Sequence, residues 1–384
     1  MHIAQAVIYG VGIIAGHTAI CVTVLNRIQG VGISHGEERV LKRVLYLFAA
    51  SMLGYIVYTF IASHGQVLVN LHDMDPSYVD LCLYWIMFLG VFRPLQVLRD
   101  RCGAYWRLDE SEVIDIPTEK HDEWAGATRF PHWPSYKWNQ VLSLEVNRKS
   151  VLVDGLPAAL NGLTITHVSD FHLVGVPGKP FFQWVTEQVN KLQSDLICVS
   201  GDIVDAPDCV DWLADIFGEM QARYGKFFVL GNHDIRKLEP SDLIARLEAL
   251  EMQWVGDASH IIDVDGESVR VCGTEMPWAD SHPVIDLDRE VALSIAVMHS
   301  PDPISWARRS NVDLALAGHL HGGQIRLPMV GPVVSPSLHG VRMASGVYRR
   351  GSTMLHVSRG LSGLQPIRWR CRPEITQLVI RNRS

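Results

Sequence analysis

The sequence predicts an α/β domain preceded by an N-terminal helical membrane domain. Three observations predict it. Long uncharged runs fill the first hundred of the 384 residues. From about Val141 onward, short apolar runs alternate with helical patterns. Five of those apolar runs end in Asp, Asn or His.

The membrane part comes first in the chain. No charged residue occurs from Ile3 to Leu25, a stretch that matches the roughly 20 residues needed to cross a bilayer. A second run covers 44–62, and a third, shorter one centres on Leu81 to Phe92 within 79–98. Tyr78, Tyr84 and Trp85 suit an interface beside the third run. An interfacial third helix is the alternative to three spans. A signal peptide is the alternative for the first run, but such a peptide opens with positive charge and here none precedes Arg27. Residues 1–99 are thus expected to form a membrane domain. Arg27, Arg39, Lys42 and Arg43 lie between spans one and two, and Arg93, Arg99, Arg101 and Arg107 follow Phe92. Between spans two and three the only charges are Asp73 and Asp75. The positive-inside rule then places 27–43 and everything after Phe92 in the cytoplasm of a multi-pass inner (plasma) membrane protein. His17 falls inside the first span and is expected to pack uncharged between helices.

Residues 100–140 mix charges with Trp106, Trp124, Trp133 and Trp138 and show no sustained period. They read as a juxtamembrane connector. The net charge of −7 argues against nucleic acid as a partner. Seven cysteines are scattered with no C-x-x-C pair, so neither a zinc ribbon nor a disulfide framework is readable.

Residues 141–384 are the expected α/β domain. Leu163 to Val168 is an apolar run followed by Asp170 and His172. The run in "DLICVSGDIVD" ends in Gly201 and Asp202, and that in "KFFVLGNHDIRK" ends in Asn232, His233 and Asp234. "SIAVMHSPDP" ends in His299, and "LALAGHLHGGQI" in His319 and His321. Short continuous runs of this kind suit strands buried on both faces. Helical patterns lie between them, one with Ser241 as a candidate N-cap. Ligands of an open α/β sheet bind at the carboxyl ends of its strands, so five polar clusters at five strand ends point to one site. Mixed Asp, Asn and His donors suit intermediate metals, and the absence of cysteine argues against a closed structural zinc site.

D-x-H, G-D-x-x-D, G-N-H-D, a lone His and G-H-x-H, in that order, resemble the calcineurin-like metallophosphoesterases over residues 160–380. "GHLHGGQIRLP" and the closing segment from Met354 resemble the family's membrane-anchored bacterial, YkuE-like branch. Phe171 stands where Leu is usual and Leu320 where Thr is usual; neither is a ligand position. The resemblance implies a sandwich of two mixed β-sheets flanked by helices. It also implies two divalent transition-metal ions (Mn²⁺, Fe²⁺, Co²⁺ or Zn²⁺). Asp170, His172, Asp202 and His321 would hold one; Asp202, Asn232, His299 and His319 the other, with Asp202 shared. Such a pair clamps phosphate oxygens during in-line displacement.

His233 is implied to face the substrate, as a proton donor or charge stabiliser. Asp234 is expected either to orient that ring or to cap the following helix. Asp205 reads as a turn or supporting residue, and His167, His260, His339 and His356 as surface or packing residues. Gly322, Gly323 and Gln324 are expected to bring backbone N–H groups to a phosphate. The apolar 324–345 loop reads as either a lid or a disordered segment, with an apolar character that suits an acyl chain. The resulting expectation is a membrane-anchored phosphohydrolase acting on a phosphodiester, pyrophosphate or phosphomonoester, with a lipid-linked substrate favoured by the tether. The alternative is a non-catalytic scaffold of the same fold, whose signature would be a missing ligand; none is missing.

Overall fold

A computed structural model of the chain describes residues 3–62, 74–101, 105–116, 124, 133, 136–279, 283, 285 and 290–383. Much of the 100–140 connector, and the loop holding Asp73, lie outside these residues. Two units emerge, Met1–Cys102 with Pro336–Arg342, and Gly103–Ser335 with Met343–Ser384.

The first unit holds three helices, α1 (Ile3–Gly30), α2 (His35–Ala62) and α3 (Pro76–Arg101). All three are long and apolar enough to cross a membrane, over Val7–Gly30, Gly36–Ala62 and Pro76–Gln96. Local chemistry starts them. Ser34 and Glu37 form a reciprocal capping box before α2: the Ser34 N–H donates to Glu37 Oε2 (3.1 Å) and the Glu37 N–H to Ser34 Oγ (3.4 Å). Asp75 Oδ1 accepts from the N–H groups of Ser77 and Tyr78, with Pro76 at the first helical position. Small residues let α1 approach α3, since a Cβ on Gly16 would lie 2.2 Å from the Cys82 carbonyl oxygen. Ile13, Met52 and Val79 fill the space between the helices. His17 is buried there, hydrogen-bonded to the Tyr78 hydroxyl and 3.4 Å from the Ala49 carbonyl. This is the packed histidine expected from the sequence. Residues 336–342, far away in sequence, also belong to this unit.

The second unit is a two-sheet sandwich. The strands of its seven-stranded sheet are β1 (Trp106–Asp115), β2 (Ser143–Val153), β3 (Thr164–Val168), β4 (Leu196–Ser200), β5 (Gly225–Val229), β6 (Met252–Trp254) and β15 (Glu374–Asn382). They lie in the order β1-β2-β15-β3-β4-β5-β6. The six-stranded sheet holds β7 (Ser259–Val264), β8 (Glu267–Thr274), β9 (Leu293–Met298), β10 (Leu314–Ala317), β13 (Gly346–Arg350) and β14 (Thr353–Val357), in the order β13-β14-β10-β9-β8-β7. Both sheets are mixed. β3 to β6 run parallel, as do β8, β9, β10 and β14, while β1, β7 and β13 pair antiparallel at the edges.

Side-chain alternation with period 2 divides each strand between two cores. Leu196 and Cys198 of β4 meet Ile295 and Val297 of β9 and Leu314 and Leu316 of β10 between the sheets. The alternate residues Ile197 and Val199 face Phe181, Phe182, Val185 and Val189 of α4 (Lys179–Lys191). On the far side, Ala296, Met298, Ala315 and Ala317 pack on Ile304, Trp306 and Ala307 of α7 (Ile304–Arg309). Two short helices follow β5: α5 (Asn232–Lys237) and α6 (Pro240–Glu248). Glu239 is the N-cap of α6 and Pro240 its first residue, so Ser241 does not cap it.

One polar chain is buried in this unit. His167 Nε2 meets Ser200 Oγ (2.8 Å) and its Nδ1 meets His356 Nδ1 (2.8 Å). His356 Nε2 lies 3.2 Å from Lys149 Nζ, which lies 3.9 Å from Glu374 Oε2. Arg359 Nη2 pairs with the same oxygen at 2.7 Å. Burial pushes His167 down to about 4, and holds His356 well below the usual histidine range with help from Lys149. Against its burial, Glu374 is held well below the usual carboxylate range by Arg359 and Lys149.

Candidate metal centre

Both sheets deliver residues to one place from the carboxyl ends of their parallel strands. Asp170 follows β3, Asp202 follows β4 and Asn232 opens α5 after β5. His299 directly follows β9, and His319 and His321 follow β10. The chain turns sharply after each strand to aim a side chain back over the strand end. Asp170, His172, Asp202, His319 and His321 all take left-handed backbone, with φ between 44° and 70°. Asp, Asn and His tolerate this region better than most side chains, yet each such residue still costs on the order of 1–3 kcal/mol. Close approach fixes the intervening glycines: a Cβ on Gly231 would lie 2.1 Å from Asp202 Oδ1.

The candidate ligand atoms of Asp170, His172, Asp202 and His321 all lie within 4.8 Å of one another, and so do those of Asp202, His299 and His319. Asp202 is common to both groups. Asn232 Oδ1 joins the second group, 3.0 Å from His299 Nε2.

Three of the rings are held by their outer nitrogen, which leaves the inner one facing the centre. His172 Nδ1 meets Asp205 Oδ2 (2.5 Å), His299 Nδ1 the Ser200 carbonyl (2.8 Å) and His321 Nδ1 the Ser362 carbonyl (3.1 Å). Outer acceptors of this kind orient metal-binding imidazoles. The inner atoms crowd, with His172 Nε2 3.2 Å from His321 Nε2 and 3.3 Å from Asp202 Oδ2.

A test of fit comes from atoms without partners. Asp202 Oδ2 and both ring nitrogens of His319 are buried with no hydrogen-bond partner among the described residues. Buried polar atoms are rarely left so, and here they converge on one place. Burial and neighbouring imidazoles keep His319 and His321 neutral, with pKa values well below the usual range. A neutral ring offers a lone pair. Against its burial, His299, His172 and His233 hold Asp202 well below the ordinary carboxylate range. These residues fit a pair of cations.

The structure brings every sequence-predicted ligand together, but it changes the partner of His233. The His233 ring pairs through Nδ1 with Asp205 Oδ1 at 2.6 Å. Asp234 does not touch that ring. It is fully buried, and its carboxylate accepts the N–H groups of Gly231 (2.8 Å), Ile203 (2.9 Å) and Val204 (2.9 Å). Of the two expectations for Asp234, ring orientation gives way to the helix cap: it accepts the N–H of Gly231, the N-cap residue of α5, and ties the Asp202 loop to that helix. Against its burial, Asp205 is held far below the usual range by hydrogen bonds from His172 and His233, and Lys237 Nζ lies 2.9 Å away. The signal for Asp205 was present in "GDIVD", where it falls three residues beyond Asp202. Nothing local in the sequence distinguishes it from Asp234.

A second correction concerns the glycine loop. The N–H groups of Gly323 and Gln324 donate to the Leu320 and His321 carbonyls, at 2.8 and 3.0 Å. They are consumed in the turn and do not cradle a phosphate. Gly322 is buried, with φ 61°. A Cβ there would lie 2.6 Å from Cys371 Sγ, so its role is close packing.

The sequence profile of the family described as Calcineurin-like phosphoesterase matches residues 163–323. The chain is 27% identical over 247 residues to a Bacillus subtilis protein, the uncharacterized metallophosphoesterase YkuE, covering 62% of this chain and 86% of that one. It is 26% identical over 249 residues to the Danio rerio transmembrane protein with metallophosphoesterase domain (60% of this chain, 55% of that one). It is 27% identical over 218 residues to the Escherichia coli phosphodiesterase YaeI (56% and 75%). The family match spans every candidate ligand from Asp170 to His321, so residues 163–323 match the calcineurin-like phosphoesterases, metal-dependent hydrolases of phosphoesters, and three apolar helices precede that region.

Proposed function

We propose that the chain is a multi-pass, membrane-anchored phosphohydrolase of the inner (plasma) membrane that works with two divalent transition ions on a lipid-linked phosphodiester or pyrophosphate. In this reading residues 1–99 anchor the protein, 100–140 connect while contributing the edge strand β1 to the sandwich, and 141–384 catalyse at the cytoplasmic face. Asp170, His172, Asp202 and His321 would hold one ion, and Asp202, Asn232, His299 and His319 the other. The observation that carries the reading is the position of Asp202, common to two donor groups, with a buried Oδ2 that has no hydrogen-bond partner among the described residues.

When bound, such an ion pair neutralises phosphate charge and acidifies the attacking water. The protein's own residues do the rest. His233 is the most exposed ring of the centre, with 22% of its side chain accessible. Asp205 occupies its Nδ1, which leaves Nε2 to meet the substrate. A proton held there passes to the leaving oxygen, and the Asp205 carboxylate stabilises the imidazolium before transfer. The buried walls exclude bulk water and keep the facing carboxylates and imidazoles in fixed positions. The similarity to a phosphodiesterase and to transmembrane relatives supports the substrate class and the anchoring.

The test combines metal analysis with a substrate panel. Full-length protein should carry about two transition ions per chain, as a two-metal site requires. It should release product from bis-p-nitrophenyl phosphate only when metal-loaded, and turn over a lipid-linked pyrophosphate or phosphodiester faster than its soluble headgroup analogue. No stoichiometric metal, with no rescue on adding Mn²⁺, would overturn the two-ion reading. Faster turnover of the soluble analogue would overturn the lipid-linked part.

A further inference from the structure

The loop beyond His321 folds back on itself as a small hairpin. β11 (Arg326–Leu327) and β12 (Gly331–Pro332) pair antiparallel, leaving Pro328, Met329 and Val330 at the tip. Met329 takes left-handed backbone, φ 61°, and is wholly exposed at 106%. Glycine would adopt that conformation freely, whereas a bulky residue is strained in it. An unbranched apolar side chain is therefore held out at a strained position, in contact with nothing that would explain it within the fold.

Its surroundings share this character. Ile325, Leu327, Val330, Val334 and Leu364 are also exposed. The loop holding Leu364 is joined to the hairpin at Trp369, whose N–H donates to the Gln324 carbonyl (2.9 Å) and whose carbonyl accepts from the Arg326 N–H (3.0 Å). Exposed apolar residues gathered on two joined loops are the composition of an interaction site.

Charge identifies the partner. From Leu314 to Pro373 the chain holds eight arginines and no Asp, Glu or Lys, within a protein of net charge −7. Arg359 and Arg368 are engaged inside the fold. Arg326 opens the hairpin in β11, half-buried, with Nη1 donating to Ser345 Oγ (2.9 Å) and the Gly322 carbonyl (3.3 Å), and Arg370 is exposed on the adjoining loop. An apolar tip with a tryptophan and arginines at its base is the composition of a segment that lies in the headgroup layer of an anionic bilayer. The same loop then continues into the helical unit. There the Ser337 N–H donates to the Asn26 carbonyl at the basic end of α1 (3.1 Å), and a Cβ on Gly30 would lie 2.5 Å from Leu338 N.

We propose that the Pro328–Val330 hairpin is a second membrane anchor, built into the catalytic domain. Met329 and Val330 enter the interfacial layer of an anionic bilayer, and Arg326 and Arg370 meet lipid phosphates. The proposal goes beyond the hydrolase reading and does not depend on turnover.

The experiment uses full-length protein in nanodiscs, of phosphatidylcholine alone or with about one third phosphatidylglycerol. An environment-sensitive fluorophore is attached at Met329→Cys, or at Ser268→Cys near the amino end of β8 as a control. The parent chain, whose described cysteines are all buried, serves as the blank. Doxyl-labelled lipid should quench the label at 329 several-fold more than the label at 268, and more strongly with phosphatidylglycerol present. Arg370→Glu should reduce that lipid dependence. Equal quenching at both positions, or none at 329, would overturn the anchor. Quenching at 329 that is equal in neutral and anionic bilayers would overturn the part assigned to the arginines.

Discussion

Asp205 sits behind two rings at once, 2.5 Å from His172 Nδ1 and 2.6 Å from His233 Nδ1. Its removal is therefore expected to have a double effect. Asp205→Asn should weaken metal retention through His172, by about 10–100-fold as for other outer partners of metal-binding histidines, and should also lower turnover through His233. His233→Ala should keep the metal and lose turnover alone, by about 10²–10⁴-fold, less on esters with good leaving groups such as nitrophenol. Asn232→Ala should lose metal in a way that high metal concentration partly restores. Metal content and kcat on two esters separate the three; equal metal loss in His233→Ala would make His233 a ligand instead. At this scale the sequence was informative about which residue types gather, because each cluster follows an apolar strand directly. It was silent about partners. Asp234 is next to His233 in the chain but points into backbone N–H groups, and Asp205, 28 residues earlier, takes the ring.

The strands were the most legible elements, because β4, β9 and β10 are buried on both faces and hold almost only apolar residues, whereas β3 carries Thr166 and His167 inside it. The turns after them were not legible. Left-handed backbone at Asp170, His172, Asp202, His319 and His321 is dictated by where the next segment must go, and no local signal announces it. β2, β14 and β15 contribute the buried polar chain of Lys149, His356 and Glu374, which no local signal connects. That chain makes the sandwich sensitive to acid. His167 and His356 have folded-state pKa values below the ordinary histidine value of about 6.5, so below that pH the unfolded chain binds more protons than the folded one. Stability contributed by these two rings is present above about pH 6.5 and is lost as pH falls towards 4. Glu374, also depressed, adds a loss below its ordinary value of about 4.3. Thermal unfolding of the full chain should show Tm falling from pH 7 to pH 4.5, and His167→Asn should flatten the upper part of that fall. A Tm independent of pH over this range would contradict the assignment.

At the scale of the whole chain, the three spans were legible from length and lack of charge, while the membership of Pro336–Arg342 in the helical unit was not. Those residues carry no hydrophobic run of their own; their place depends on Gly30, which has room for no side chain beneath Leu338. Gly30→Val should free them, and limited proteolysis should then cut within 336–342 faster than in the parent. A reporter fused after Ser384 should be active only in its cytoplasmic form if the positive-inside rule holds for Arg27, Arg39, Lys42 and Arg43 of the first loop. Activity of the external form would reverse the topology and with it the side on which substrate is met. The depth of the centre has a further result. Asp170, His172, Asp202 and His299 are at most 1% exposed. An ion among groups so enclosed enters or leaves only when the loops around it open. Metal exchange is then expected to be slow on the timescale of catalysis, so a chelator should strip the ions, and added metal reload them, at a rate set by loop opening and not by chelator or metal concentration.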